Sequence, residues 1–379
     1  MGTEVLLYGY GFVCLSMLAF NILYNLAMKG SQRRLERKGT HLAVRMESQL
    51  RRIRQGLPVE PGHLSFLRRR LTRVGCLLAF DRALERLPDR ESDPAAALYL
   101  HQIHPVLLQL AMLYWKRDSL QAAYFAYFLA RHRLEQGMPM DSLQEIMVAY
   151  MKKDNLYCRM NALQALYAFG SPERVAEAVL LQDRTGAFFH EKVLTDGLLS
   201  FQGDHGRLIR LLWAEFERVS DKTRLSILNY IRFRTGDYRR EMYDIMQDPA
   251  RDKELRLSAL RYFGRYQYPP ARAALIAFVR SRDAAHWEYA AVAATVLAQY
   301  PGEDTAAALM EAVHSANWYV RYNAAASLEH LQLHYSDLIQ VMGGRDRYAR
   351  EMMMYRLDAR NLEREEARRR EGEESPCAT

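Results

Sequence analysis

The chain is poor in cysteine. It has four in 379 residues, Cys14, Cys76, Cys158 and Cys377, far apart and with no CxxC pair. That excludes a disulfide framework and a cysteine-based zinc site, and it suits a reducing compartment. The short signatures of phosphate and nucleophile chemistry are missing too. There is no Gly-rich phosphate loop, no GxSxG and no HExxH. No segment sustains the alternation of a strand, so the chain reads as all-α. Zinc-finger spacing and an RNP-like aromatic run are absent, which disfavours nucleic acid as a partner.

Charge is present but uneven. The net charge is +8. Lys29 to Arg90 holds 16 Lys/Arg against 6 Asp/Glu, whereas residues 91–379 hold 37 against 38. The basic surplus therefore belongs to one segment. That segment directly follows Val5 to Met28, a run of 24 residues without a charge. As a helix the run reaches about 36 Å, more than the roughly 30 Å hydrocarbon core of a bilayer. Tyr8, Tyr10 and Tyr24 sit towards its ends, where interfacial tyrosines are common.

A cleaved signal peptide would carry its positive charge before the apolar run. Met1–Glu4 has none, and Lys29, Arg33, Arg34, Arg37 and Lys38 come after it. The expectation is an uncleaved single-pass anchor with the N-terminus outside and the remainder cytoplasmic. The five cations are placed to meet an anionic lipid surface, at about 1 kcal/mol per residue close to the membrane. Gly11, Cys14, Leu18, Asn21, Asn25 and Met28 share one helix face. Asparagines inside a membrane helix want hydrogen-bond partners, so Gly11, Asn21 and Asn25 are candidates for contact with another membrane helix.

Ser31 to Leu57 reads as a further helix weakened at Gly39, and His63 to Leu87 as an amphipathic one. Pro88 and the stretch after it end that helix. Asp93–Pro94 then starts another, which runs to about Lys116 with a kink expected at Pro105.

From Asp118 onwards the chain repeats. Arg159, His190, Arg224, Arg256, Glu288 and Arg321 form a column with spacings of 31, 34, 32, 32 and 33. The two positions that follow three and four residues later are apolar: Ala162–Leu163, Val193–Leu194, Ile227–Leu228, Ala259–Leu260, Ala291–Val292 and Ala324–Ala325. Weaker copies anchor near Gln121 and Arg350. Each unit has a break and then a second apolar helix: Glu173–Gln182, Gly206–Val219, Tyr238–Gln247, Ala271–Val279, Asp304–Val313 and Tyr335–Met342. One hairpin of about 32 residues cannot bury its apolar face alone, so hairpins stack. Asp154, Asp221, Asp252, Asp283 and Asn317 stand where helix caps are needed.

The stretches DNLYCRMNALQALYAFGSPERVAEAV, DKELRLSALRYFGRYQYPPARAALIAFV and ANWYVRYNAAASLEHL resemble the HEAT-repeat family in their Asp–Arg–small-apolar pattern. The resemblance spans about Asp118 to Leu357. It implies a right-handed α-solenoid of helical hairpins, here preceded by one N-terminal transmembrane helix. It also implies column arginines paired with aspartates near helix starts, and second helices lining a concave face. Arg210, Trp213, Tyr243 and Arg272 are the candidates for protein contact there; Trp287 and Trp318 are further tryptophans of the array.

Some members of the family are enzymes, and its di-iron hydroxylases use several paired His–Glu motifs. Here His190–Glu191 is such a pair, His286 and Glu288 are not adjacent, and Glu329–His330 is reversed. No catalytic residue, metal ligand or cofactor is assigned. The expected organisation is an anchor (1–28), a basic juxtamembrane helix (29–60), a helical cap (61–117), the repeats (118–358) and a charged tail (359–379). The functional expectation is a membrane-tethered scaffold that binds proteins within a membrane-associated complex, with a glycosyltransferase or transporter as possible partners. Short anchor and Ala/Arg usage point to a bacterial plasma membrane. The alternatives are a HEAT-like hydroxylase or lyase, and lipid or nucleic-acid binding through the basic segment.

Overall fold

A computed structural model of the chain describes residues 2–87, 93–134, 142–187, 189–281, 283–331, 333 and 335–358. The tail (359–379), the break at Pro88 and part of the break at 332–334 lie outside them. Among the described residues regular structure is entirely helical, with no strand. The chain divides into two compact units, residues 1–186 with 200–208, and residues 187–199 with 209–379.

The first unit begins with α1 (Gly2–Arg54), one unbroken helix of 53 residues. Gly39 does not interrupt it. A Cβ there would lie 3.4 Å from the Ala79 carbonyl, so the glycine lets a neighbouring helix approach closely. That neighbour is α3 (Val74–Leu84). It was expected to be continuous with α2 (Pro61–Arg70), but the chain turns at 71–73. Thr72 donates to the Arg69 carbonyl at 2.8 Å, and Arg73 is extended. Side chains of this type compete with helix hydrogen bonding and favour a stop.

The loop after α1 is held by two glutamines. Gln102 accepts from the Val59 amide at 2.6 Å and Gln49 from Glu60 at 3.0 Å. α4 (Pro94–Trp115) starts as expected, with Asp93 accepting from the Ala95 amide, and runs through Pro105 without ending. α5 (Ser119–Arg131) packs on α7 (Leu156–Phe169), while α6 (Ser142–Tyr150) packs on α4 and on α8 (Pro172–Arg184). Gly170 ends α7 at φ 87°, a conformation that suits glycine.

In the second unit the first helices of the hairpins pack on one another in order. They are α9 (Glu191–Leu199), α11 (Asp221–Arg234), α13 (Lys253–Tyr262), α15 (Trp287–Leu297) and α17 (Trp318–His330). The second helices are α12 (Arg239–Gln247), α14 (Ala271–Arg280), α16 (Glu303–Ala312) and α18 (Tyr335–Met342); a last helix, α19, covers 347–358. α10 (His205–Ala214) has residues in both units. α12, α14, α16 and α18 match the expected ranges to within a residue, whereas α10 ends at Ala214, short of the expected Val219.

Two details of the repeat differ from the sequence reading. Val193 is 46% exposed, whereas Leu194 and Thr195 are buried. The column therefore passes through Glu191 rather than His190, and the spacings become 32, 33, 32, 32 and 33. Caps also shift by one residue in two repeats. Asn155, not Asp154, accepts from the Cys158 amide, and Ser220, not Asp221, caps α11. Asp252 and Asn317 do cap α13 and α17, while Asp283 caps the short 3-10 turn that precedes α15.

Each repeat is tied to the next by side chains that reach across one period. In the first unit Asn161 donates to the Ala123 carbonyl and Tyr150 to that of Ala111. In the second, Ser258 donates to Asn229, Asn323 to Ala291 and Ser327 to Ala294. Each satisfies a buried or half-buried polar group and fixes the register of neighbouring hairpins, at about 1 kcal/mol apiece.

Candidate functional site

The site is built around α1, because its two halves have different surroundings. From Tyr8 to Met28 its side chains are exposed, and none of the apolar window is covered by the other described residues. By length and composition this window could cross a membrane. α4 passes the same test, but nearly half of its window is buried in the core of the first unit. From Leu42 onwards α1 is a core helix, with Leu42, Met46, Leu50 and Ile53 buried against α3 and α4.

Between the halves lie the basic residues. Lys29, Arg33, Arg34, Arg37 and Lys38 are all exposed. The one acid among them, Glu36, is held by Arg82 of α3 at 2.5 Å. Among the described residues no acid pairs with any of the five cations. Lys29 and Arg33 line a shallow hollow of about 340 Å³ with Gln32, Glu36 and Arg82. The arrangement presents positive charge directly beyond an uncovered apolar helix.

The polar stripe is less uniform than its sequence suggests. Asn25 donates from Nδ2 to the Asn21 carbonyl at 2.9 Å, within the helix. Asn21 has no side-chain partner among the described residues. Gly11 leaves open space where a Cβ would stand. Asn21 and Gly11 therefore remain uncommitted, and Asn25 is partly satisfied.

The column arginines do not play the role the resemblance implied. They donate mainly to main-chain carbonyls just upstream of their own helix. Arg159 reaches the carbonyls of Lys153 and Asp154, both at 2.9 Å. Arg224 reaches Phe216 and Glu217, Arg256 reaches Met246, and Arg321 reaches Ser315 and Ala316. These carbonyls lie at the ends of preceding helices, where they lack intrahelical donors. Arg224 alone also binds an aspartate at its helix start, Asp221 at 2.9 Å. The column arginines act as a structural capping device, although the Nε atoms of Arg159 and Arg321 are buried without a partner.

The four protein-contact candidates lie in the second unit. Arg210 is exposed. Trp213 is half-buried, stacked on Phe216 at 4.6 Å and edge-on to Tyr238 at 5.0 Å. Tyr243 packs edge-on against Tyr268, and Arg272 donates to Thr305 at 3.2 Å. Trp213, Tyr243 and Arg272 are thus largely engaged in packing between hairpins. Trp287 stacks on Tyr319, whereas Trp318 is 50% exposed. Trp318, Arg321, Tyr322, Tyr348 and Tyr355 line an aromatic hollow of about 550 Å³, which sequence reasoning did not find.

The His–Glu pairs are separate. His190 contacts Glu191 at 3.3 Å, His286 binds Asp283 at 2.6 Å, Glu288 binds Lys253 at 2.8 Å, and Glu329 binds Arg356. Among the described residues no three His, Cys, Asp or Glu gather as metal ligands would.

Asp81 and His63 are buried in the first unit. Asp81 accepts from Tyr124 at 2.8 Å and faces His132 at 2.6 Å and Arg131 at 3.3 Å. Burial would raise its pKa, but the hydrogen bonds from His132 and Tyr124 hold it below the ordinary carboxylate value. His63 is 5% exposed, 3.0 Å from the Tyr99 hydroxyl. Burial, followed by the Arg45 charge, lowers its pKa to about 4.

Residues 240–329, from α12 to α17, match the family model for HEAT repeats. The fold there is therefore a stack of HEAT-type helical hairpins. No curated protein matches the chain. Among solved structures, human deoxyhypusine hydroxylase in complex with glycerol aligns at 16% identity over 78% of this chain and 95% of that one, with a TM-score of 0.27.

Proposed function

We propose that the chain is a membrane-tethered HEAT-repeat scaffold that recruits proteins to a membrane-associated complex. In this reading residues 5–28 cross the bilayer with the N-terminus outside, Lys29 to Lys38 meet anionic headgroups, and a right-handed α-solenoid projects into the cytoplasm of a bacterial cell. The observation that carries it is the continuity of α1. An uncovered apolar helix passes without a break into the buried spine of the first unit. The anchor and the first unit would then be continuous, and such a tether raises the effective concentration of the repeats beside other membrane proteins. The face bearing Gly11 and Asn21 offers the anchor a partner helix, and a membrane glycosyltransferase or transporter is the kind of partner it fits. Arg210 and the neighbouring second helices offer a surface to protein.

The test is a mild-detergent pull-down of the full chain from native membranes, beside an Asn21→Leu/Asn25→Leu variant and a chain starting at Ser31. A stoichiometric membrane partner lost from both variants supports recruitment through the anchor. A partner kept by both assigns recognition to the repeats. No partner from the full chain overturns the scaffold reading.

A further inference from the structure

Among the described residues, the second unit gathers three cations that no carboxylate pairs with. Arg232 lies in the last turn of α11 and Arg261 in the last turn of α13, with Arg265 just beyond. α11 and α13 pack side by side, so the three converge. Burial first, and then the charges of Arg261 and Arg265, lower the pKa of Arg232, and no carboxylate opposes them. Among the described residues none of the three has an ion pair or a hydrogen-bond acceptor, and the Arg232 Nε is buried without a partner. Phe233, 41% exposed, lies under two of the guanidinium groups, with Arg232 at 4.6 Å and Arg265 at 5.8 Å from its ring centre.

Elsewhere in the unit several arginines have carboxylate partners. Arg251 is held by Glu217, Arg280 by Glu311 and Arg356 by Glu329. A cation at a helix C-terminus is favourable, which accounts for Arg232 or Arg261 singly. It does not account for three of like charge brought together by the packing of α11 on α13, nor for the buried Arg232 donor left unpaired, which is costly in itself. Arginine clusters of this kind recognise acidic or phosphorylated segments.

We infer that Arg232, Arg261 and Arg265 form a docking point for an acidic segment of a partner protein, whose apolar residue covers Phe233. This deepens the scaffold reading and rests on it. Packed helices stand about 8–10 Å apart. A polyproline-like peptide rises about 3.1 Å per residue with three residues per turn, so acids three apart on one face meet arginines on adjacent helices. A membrane surface calls for a larger cluster, about 4–8 cations. A phosphodiester backbone calls for a continuing basic stripe, and residues 91–379 carry no basic surplus.

The experiment uses the full chain in zwitterionic-lipid nanodiscs. Fluorescence anisotropy reads binding of a labelled ten-residue peptide with glutamate at every third position and one leucine. The comparison peptide has lysine for glutamate, and inorganic phosphate is the competitor. The acidic peptide is expected to bind, to weaken with salt, and to lose about tenfold or more in affinity with Arg232→Gln/Arg261→Gln/Arg265→Gln. Arg261→Gln alone, at an exposed position, keeps the test open should the triple variant misfold; it is expected to weaken binding about threefold. Arg218→Gln, elsewhere on the surface, is expected to leave binding unchanged. Equal binding by the folded triple variant, equal binding of the lysine peptide, or full displacement by millimolar phosphate overturns the docking point. None of these alters recovery of a membrane partner in the pull-down, so the scaffold reading stands or falls separately.

Discussion

The two halves of α1 are one helix with two different surroundings. In the outer half, Tyr8 to Met28, apolar side chains point in every direction and no other described residue covers them. In the inner half they form a stripe, Leu42, Met46, Leu50 and Ile53, at helical spacing, and α3 and α4 bury it. Apolar content alone does not separate the halves; its distribution around the axis does. An all-round apolar surface suits lipid, and a stripe suits a protein core. Gly39 lies just before the stripe and permits close packing on one side only.

The comparison can be broken most forcefully by substitutions that affect one half alone. Leu50→Ala removes a buried side chain, and thermal denaturation should show a loss of about 2–5 kcal/mol with the membrane-bound fraction unchanged. Leu15→Arg should do the reverse. It opposes insertion by about 3 kcal/mol and should move protein to the soluble fraction while the repeats keep their melting temperature. If Leu15→Arg melts the protein instead, the outer half is part of a core.

The buried side also has a pH signature, to which Arg45 on the inner half of α1 contributes. The pKa of His63 is about 4 in the folded chain, against about 6.5 unfolded. The unfolded state therefore binds more protons between those values, and stability falls as pH drops from 6.5 towards 4, by about 2–3 kcal/mol. His63→Gln should flatten that part of the stability–pH curve.

Gly39→Leu should cost about 1–3 kcal/mol by forcing α1 and α3 apart. Gly30→Ala, where nothing lies within 4 Å of the added carbon, should be neutral or stabilising by less than about 1 kcal/mol. A reversed order of these two glycine variants would mean that the helix packs along the other half.

Much of the fold could be read from particular residues. Small apolar pairs such as Ala162–Leu163 and Ala324–Ala325 recur because hairpins stack only where neighbouring helices approach closely, and the second helices follow from the same period. The frame slipped at His190 because Val193 is apolar yet exposed; the apolar letter was read as burial. The capping side chain could not be located to a single residue where two candidates adjoin, as at Asp154–Asn155 and Ser220–Asp221. The break between α2 and α3 was hidden because the apolar spacing continues through Leu71, while the stop comes from a Thr72 hydroxyl. Of the candidate site, the apolar run and the cations that follow it were legible as runs. The pairing of Glu36 with Arg82 was not, because 46 residues separate them. Nor was the convergence of Arg232, Arg261 and Arg265, three arginines among many, brought together only by packing of α11 on α13.

The central claim is that the outer half of α1 holds the chain in a membrane. Alkaline-carbonate extraction of cell membranes tests it most directly, with the full chain compared to a chain beginning at Ser31. The account predicts the full chain in the membrane pellet and the shorter chain, folded, in the supernatant. A full chain released with the shorter one would contradict it.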